Sequence, residues 1–126
     1  MKIALLSDLH LEFYDEGDAS FIEALDPSEV DVLVLAGDIT TPSVLSAELI
    51  QKFTSKYPEV VYVSGNHEYW GDDPRKVIGR LRDLDSRIDN FHFLNNDIFE
   101  YKGHRFLGTT LWFPDTKISQ WLGRDW

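Results

Sequence analysis

A chain of 126 residues, 43% of them hydrophobic, suits one domain, and a chain of that length buries roughly two thirds of its unfolded surface without covalent staples. Its formal net charge of −10 and pI near 4.6 argue against a general nucleic-acid-binding surface, because such surfaces are basic. With no cysteine there are no disulfides or thiolate metal sites, and the apolar run Ile3 to Leu6 after Met1-Lys2 is too short for a signal peptide or membrane span, so a soluble cytoplasmic protein is expected.

Lys2 to Ser7 reads as a first strand, and Asp8-Leu9-His10 leaves its carboxyl end with two polar side chains spaced i, i+2. On extended backbone that spacing puts both on one face. Leu11 to Asp18 is expected to be a polar loop, and Phe21 to Leu25 a short helix stopped by Asp26-Pro27. Val32 to Ala36 is apolar throughout, as in a parallel strand covered on both faces, and it ends in Gly37-Asp38.

Thr41-Pro42 offers a hydroxyl N-cap with proline at N1, so a helix is predicted from there, with Leu45, Leu49, Phe53 and Tyr57 on one stripe until Pro58. Val60 to Val63 is a third buried strand running into Ser64-Gly65-Asn66-His67-Glu68, where Gly65 suits a sharp turn. Asp73-Pro74 repeats the helix start signal, and Val77, Leu81, Leu84 and Ile88 form its apolar stripe. Phe91 to Leu94 reads as a strand. Ile98 to Tyr101 and Arg105 to Thr110 read as a hairpin about Lys102-Gly103. Trp112 to Asp115 is expected to be a turn, and Ile118 to Trp126 has no clear stop.

This order implies α/β architecture with the first three strands parallel, and in such sheets the ligand site lies beyond the carboxyl ends of the strands. Asp8, His10, Asp38, Asn66 and His67 all fall there. Singly, each ending is an ordinary turn; three in succession make a constellation. Two carboxylates, an amide and two imidazoles, with no soft ligand, suit Mn, Fe, Zn or Mg. A carboxylate from a middle strand, here Asp38, is placed to bridge two cations about 3.5–4 Å apart, a spacing that activates water and clamps a phosphoryl group.

Asp8-Leu9-His10, Gly37-Asp38 and Gly65-Asn66-His67-Glu68, in that order and each after a strand, resemble the motifs of the calcineurin-like metallophosphoesterases, and Gly108 to Trp112 is similar to a run in bacterial and phage members. The resemblance implies a sandwich of mixed sheets flanked by helices, of which residues 1–126 would form the amino-terminal half as one domain. It implies one or two divalent cations: Asp8, His10 and Asp38 on the first, Asp38 and Asn66 on the second. It makes His67 the acid that meets the leaving group from outside the metal shell, and Glu68 a supporting residue. The implied reaction is hydrolysis of a phosphomonoester or phosphodiester by a metal-activated water, with no covalent enzyme intermediate. An aspartyl-phosphate phosphatase with Asp8 as nucleophile fits less well, because those enzymes commonly carry a second acid where this chain has His10.

Complete members of that family carry two further histidine blocks downstream, and this chain stops before either. His92, between two phenylalanines, and His104, after the hairpin glycine, are expected to be structural or exposed. The first cation then has three ligands from this chain and the second two. Catalysis is expected of a form completed by a carboxyl-terminal half or by a partner such as a second copy; the competing class is a non-catalytic scaffold. Trp112, Trp121 and Trp126 in the tail make association, through tail and hairpin, the expectation for this chain by itself.

Overall fold

The β-branched runs pair side by side in the order in which they occur. In the computed structural model, which describes residues 1–15 and 20–111, β1 (Ile3–Leu6), β2 (Val32–Ala36), β3 (Glu59–Val63) and β4 (Phe91–Phe93) form one four-stranded sheet in the order β1-β2-β3-β4. All three pairings are parallel, with Leu6 opposite Leu35 and Ala36 opposite Val63. The loops after β1, β2 and β3 therefore leave the same edge of the sheet. The parallel run expected of three strands extends to the fourth.

Alternation along each strand divides the side chains between two faces. One face sends Leu33, Leu35, Val60, Tyr62, Phe91 and Phe93 into the main core. It is covered by α1 (Ser20–Ala24), α2 (Ala47–Thr54) and α3 (Pro74–Arg87), with Ile22, Ile50, Phe53, Val77, Leu81 and Leu84 buried against it. The other face sends Val32 and Val61 against Leu94 and the hairpin residues Phe99, Tyr101 and Phe106. That hairpin, β5 (Asp97–Tyr101) and β6 (His104–Gly108), is a separate antiparallel pair. Lys102 and Gly103 both take positive φ, 47° and 76°, the conformation that matches a two-residue turn to strand twist. The combination of parallel sheet, antiparallel pair and flanking helices is the mixed α/β architecture expected. The hairpin does not reach β1, where Ile3 and Leu5 remain 51% and 66% exposed.

One boundary differs from expectation. Thr41-Pro42 opens a turn, with Val44 and Leu45 donating to the Thr41 carbonyl at 3.1 and 3.0 Å, and α2 begins only at Ala47. Ser46 is its N-cap, accepting from the Leu49 N–H at 3.2 Å. Of the expected stripe Leu45, Phe53 and Tyr57 are buried and Leu49 packs partly buried against them, with Ile50 filling the core beside Phe53. By contrast α3 starts where Asp73-Pro74 predicts, with Asp73 accepting from the Arg75 N–H. No helix among the described residues is long and apolar enough to cross a membrane. The tail from Trp112 onward lies outside the described residues.

Candidate metal centre

Three loops meet at the carboxyl edge of the sheet, and backbone hydrogen bonds hold them in register. Asp8, His10 and Leu11 donate to the carbonyls of Gly37, Asp38 and Ile39 at 3.0, 3.1 and 2.9 Å, so the first loop continues alongside the second after the strands end. Asp8, His10 and Asp38 all adopt left-handed backbone, with φ of 53°, 49° and 52°. Asp and His tolerate that region better than most residues, and strain of about 1–3 kcal/mol per residue is typically concentrated where a side chain must be aimed. Asp8 and His10 are therefore brought to one side by two left-handed residues and not by extended backbone, as their spacing alone suggests.

The result is a cluster in which one ligand atom from each of Asp8, His10 and Asp38 lies within 4.8 Å of the others. A carboxylate pair with an imidazole, opening toward solvent through exposed Asp8, fits a divalent cation of the Mn, Fe, Zn or Mg class. Asn66 lies in the third loop and makes no side-chain cap bond to the 3-10 turn (His67–Tyr69) that follows it.

Gly65 is needed for space and not for its turn. A Cβ there would stand 2.2 Å from Asp38 Oδ1 and 2.6 Å from Asp38 N, and one on Gly37 would stand 2.8 Å from Gly65 N. The second and third loops thus touch backbone to backbone, and the His67 N–H donates to Asp38 Oδ1 at 2.9 Å.

Glu68 is fully buried beneath this contact. Its Oε2 accepts from the N–H groups of Asp38 and Gly65 at 3.0 and 2.7 Å, and its Oε1 from the Ile39 N–H and the Tyr62 hydroxyl, both at 2.8 Å. Burial pushes the Glu68 carboxyl above its ordinary range, and the donors oppose that shift without cancelling it. The same burial, with the charge of Glu68, raises the Tyr62 phenol. Glu68 joins β3, the second loop and the third loop through a single side chain.

His67 stands against Trp70, ring centroids 3.6 Å apart, and edge-on to His10 at 4.3 Å. Its Nδ1 is 3.0 Å from Glu12 Oε1, and the same oxygen is 3.2 Å from His10 Nδ1. Burial acts to raise the Glu12 carboxyl, but hydrogen bonds from its own backbone N–H and from His67 and His10 outweigh it, so Glu12 titrates below its ordinary range. Neither Glu12 nor Trp70 stands out in the sequence. The signal for Glu12 is the continued alternation Asp8, His10, Glu12 with leucines between, which runs past the strand into the short 3-10 turn Leu11–Phe13. His92 lies away from this edge, bonded through Nε2 to Glu59 at 2.7 Å and stacked on Phe99. His104 is exposed in the hairpin, against the Lys102 carbonyl.

Known proteins resemble this chain over most of its length. A family model described as calcineurin-like phosphoesterase matches residues 1–126. An uncharacterised protein of Acanthamoeba polyphaga mimivirus is 35% identical over 119 residues, covering 85% of this chain and 42% of that protein. Among solved structures, the phosphopantetheinyl hydrolase PptH of Mycobacterium tuberculosis superposes with a TM-score of 0.61 at 22% identity, over 88% of this chain and 42% of that one. At that identity the likeness is one of fold. The chain spans less than half the length of either relative.

Proposed function

Because the chain belongs to the calcineurin-like phosphoesterase family, we propose that it supplies the cation-binding loops of a metal-dependent enzyme that hydrolyses a phosphomonoester or phosphodiester. The observation that carries this reading is the convergence of Asp8, His10 and Asp38, each from a different part of two loops, on one small volume beside His67. A divalent cation there, manganese being the first to try, supplies the charge that lowers the pKa of water and neutralises phosphoryl oxygens.

The chain's own residues have separable tasks in this reading. Asp8 and Asp38 provide anionic oxygens, and His10 provides a neutral nitrogen. Asp38 uses Oδ1 to accept the His67 N–H, and its carboxylate would help hold one cation with Asp8 and His10 and a second with Asn66. His67 is held with Nδ1 toward Glu12, so Nε2 is the nitrogen that gives a proton to the departing oxygen. Trp70, 43% exposed and stacked on that ring, limits its rotation and walls one side of the approach. Glu68 keeps the second and third loops at fixed separation without facing the substrate.

The remaining ligands come, in this proposal, from the rest of a longer protein or from a partner chain, in keeping with the 42% of each relative that this chain covers. A scaffold that binds without hydrolysing is the second reading, and the ligand count of three and two favours it for the chain alone. Metal analysis of protein purified without chelator, with assays on p-nitrophenyl phosphate and bis(p-nitrophenyl) phosphate, separates the two. Cation bound by wild type and lost in Asp38→Asn, with hydrolysis by a chain extended to the length of its relatives lost in parallel, is the expected result. Cation without hydrolysis, in a chain extended to the length of its relatives, would leave the scaffold; no cation at all would end the phosphoesterase reading.

A further inference from the structure

We propose that Glu12 is a positioning residue that fixes His10 and His67 together, holding each ring with a proton on Nδ1 and its Nε2 turned outward. The catalytic consequence rests on the phosphoesterase reading above, whereas the geometry stands without it. One oxygen, Glu12 Oε1, lies within hydrogen-bond distance of both Nδ1 atoms, at 3.2 Å for His10 and 3.0 Å for His67. The two rings are edge to face at 4.3 Å. A carboxylate is an acceptor only, so two nitrogens that share one carboxylate oxygen must both be donors.

A neutral imidazole that donates from Nδ1 has its lone pair on Nε2, and that fixes what each ring can do. For His10 it leaves Nε2 as the nitrogen able to ligate. For His67 it leaves Nε2 as the nitrogen that, once protonated by exchange with solvent, gives that proton to the leaving-group oxygen and returns to the neutral form. One side chain thereby gives two histidines of different duty the same orientation.

The side chain of Glu12 is only 10% exposed, and among the described residues no donor reaches its Oε2. A buried carboxylate oxygen without a partner is costly unless function retains it. Here it gives spare acceptor capacity: a small rotation about the terminal torsion, which is soft, gives each imidazole an oxygen of its own. The alternation that places Glu12 here, two residues after His10, means that the ligand and its orienting group belong to one rigid turn.

The test reads tautomers and not only rates. Long-range proton–nitrogen spectra of the imidazoles, recorded on cation-free protein at a pH where both rings are neutral, should show Nδ1–H on His10 and on His67. Glu12→Ala should release both to the mixed, mainly Nε2–H population of free histidine, and Glu12→Gln, which keeps an acceptor oxygen, should restore the Nδ1–H form. Cation affinity should fall by about 10–100-fold in Glu12→Ala, the usual effect of removing an orienting partner, and recover in Glu12→Gln. In the completed enzyme, Glu12→Ala should slow alkyl phosphate esters more than p-nitrophenyl esters, whose leaving group needs no acid. Nδ1–H tautomers in a chain that, extended to the length of its relatives, still hydrolyses nothing would support the positioning role while sinking the phosphoesterase reading. Nε2–H on either ring of the wild type would overturn the proposal, whether or not Glu12→Ala folds. So would anomalous scattering from a cation seated between His10, Glu12 and His67, because Glu12 would then be a ligand.

Discussion

The carboxyl edge of the sheet and the hairpin face are built on opposite principles. At the edge, two glycines let the second and third loops touch, three non-glycine residues sit in left-handed backbone, and four donors converge on the buried carboxylate of Glu68. These interactions are directional, and none can shift without stranding a buried polar group. On the hairpin face, Phe99 stacks on His92 at 3.7 Å and leans on Phe106 at 5.8 Å, while the Glu100–Arg105 pair lies exposed above. That face is held chiefly by area, which has no preferred direction, with the Lys102–Asp31 and Arg82–Asp97 pairs at its rim. Rigidity is thus invested where the candidate ligands Asp8, His10 and Asp38 lie together, and the stabilising apolar cover is left adaptable.

The largest effect expected from this contrast is Glu68→Ala. It leaves the N–H groups of Asp38, Ile39 and Gly65 and the Tyr62 hydroxyl without their acceptor, each stranded donor costing about 1–3 kcal/mol. Relief of the buried carboxylate's own desolvation offsets part of that, so a net loss of about 3 kcal/mol or more in urea denaturation is expected. Cation binding should disappear with it, because Asp38 loses its backbone anchor. A loss under about 1 kcal/mol would show that the edge is as adaptable as the hairpin, and the contrast would fail.

Gly65→Ala asks the same of backbone contact. Its Cβ would meet Asp38 Oδ1 at 2.2 Å, so Asp38 has to move. Overpacking of this kind costs about 1–3 kcal/mol, and cation affinity measured by calorimetry should fall even where the melt is only modestly shifted. Unchanged affinity would mean that Asp38 does not need its present position.

Much of this was legible in the sequence, and the failures are instructive. The buried strands and α3 could be read because periodicity and capping point the same way there, Asp73-Pro74 preceding a clean apolar stripe. At Thr41-Pro42 the cap signal is genuine chemistry used for a turn, since the Thr41 carbonyl serves Val44 and Leu45 before Ser46 caps α2. The loop residues Asp8, His10, Asp38 and His67 could be named from their places after strands. Their left-handed geometry could not, because φ is set by bonds to a loop about 30 residues away. Glu12 escaped notice for a related reason: its partner His67 is 55 residues distant, and in sequence it looks like one acid among 22.

Phe99→Ala should sharpen the contrast from the other side. Phe99 is half-buried and packs on the small second core with Val32, Val61 and Leu94. Full burial of a phenylalanine would make its loss cost about 3–5 kcal/mol, so about 1–2 is expected here, with cation affinity unchanged. A matching loss of affinity would show that the hairpin transmits its packing to the loops, to which the Thr110 hydroxyl gives a direct link by donating to the Ser64 carbonyl at 2.5 Å.

The smallest effect belongs to β1, on the part of the hairpin face that the hairpin does not cover. Leu5 is 66% exposed there, and Val34 beside it is only half-buried. Leu5→Thr keeps a residue suited to strands and removes apolar surface that is already wet, so stability should change by less than about 0.5 kcal/mol. The measurement is informative because of what a larger effect would mean. Burying a leucine contributes about 1.5–3 kcal/mol, so a loss in that range would show that Leu5 is covered in solution, either by residues 112–126 or by a second copy of the chain. Sedimentation across a dilution series distinguishes these. A stability loss that vanishes on dilution together with a drop in mass identifies the second copy, and one that is independent of concentration identifies the chain's own tail. Only if neither is seen is the open end of this face an exposed apolar strand edge, as it stands beside the covered end.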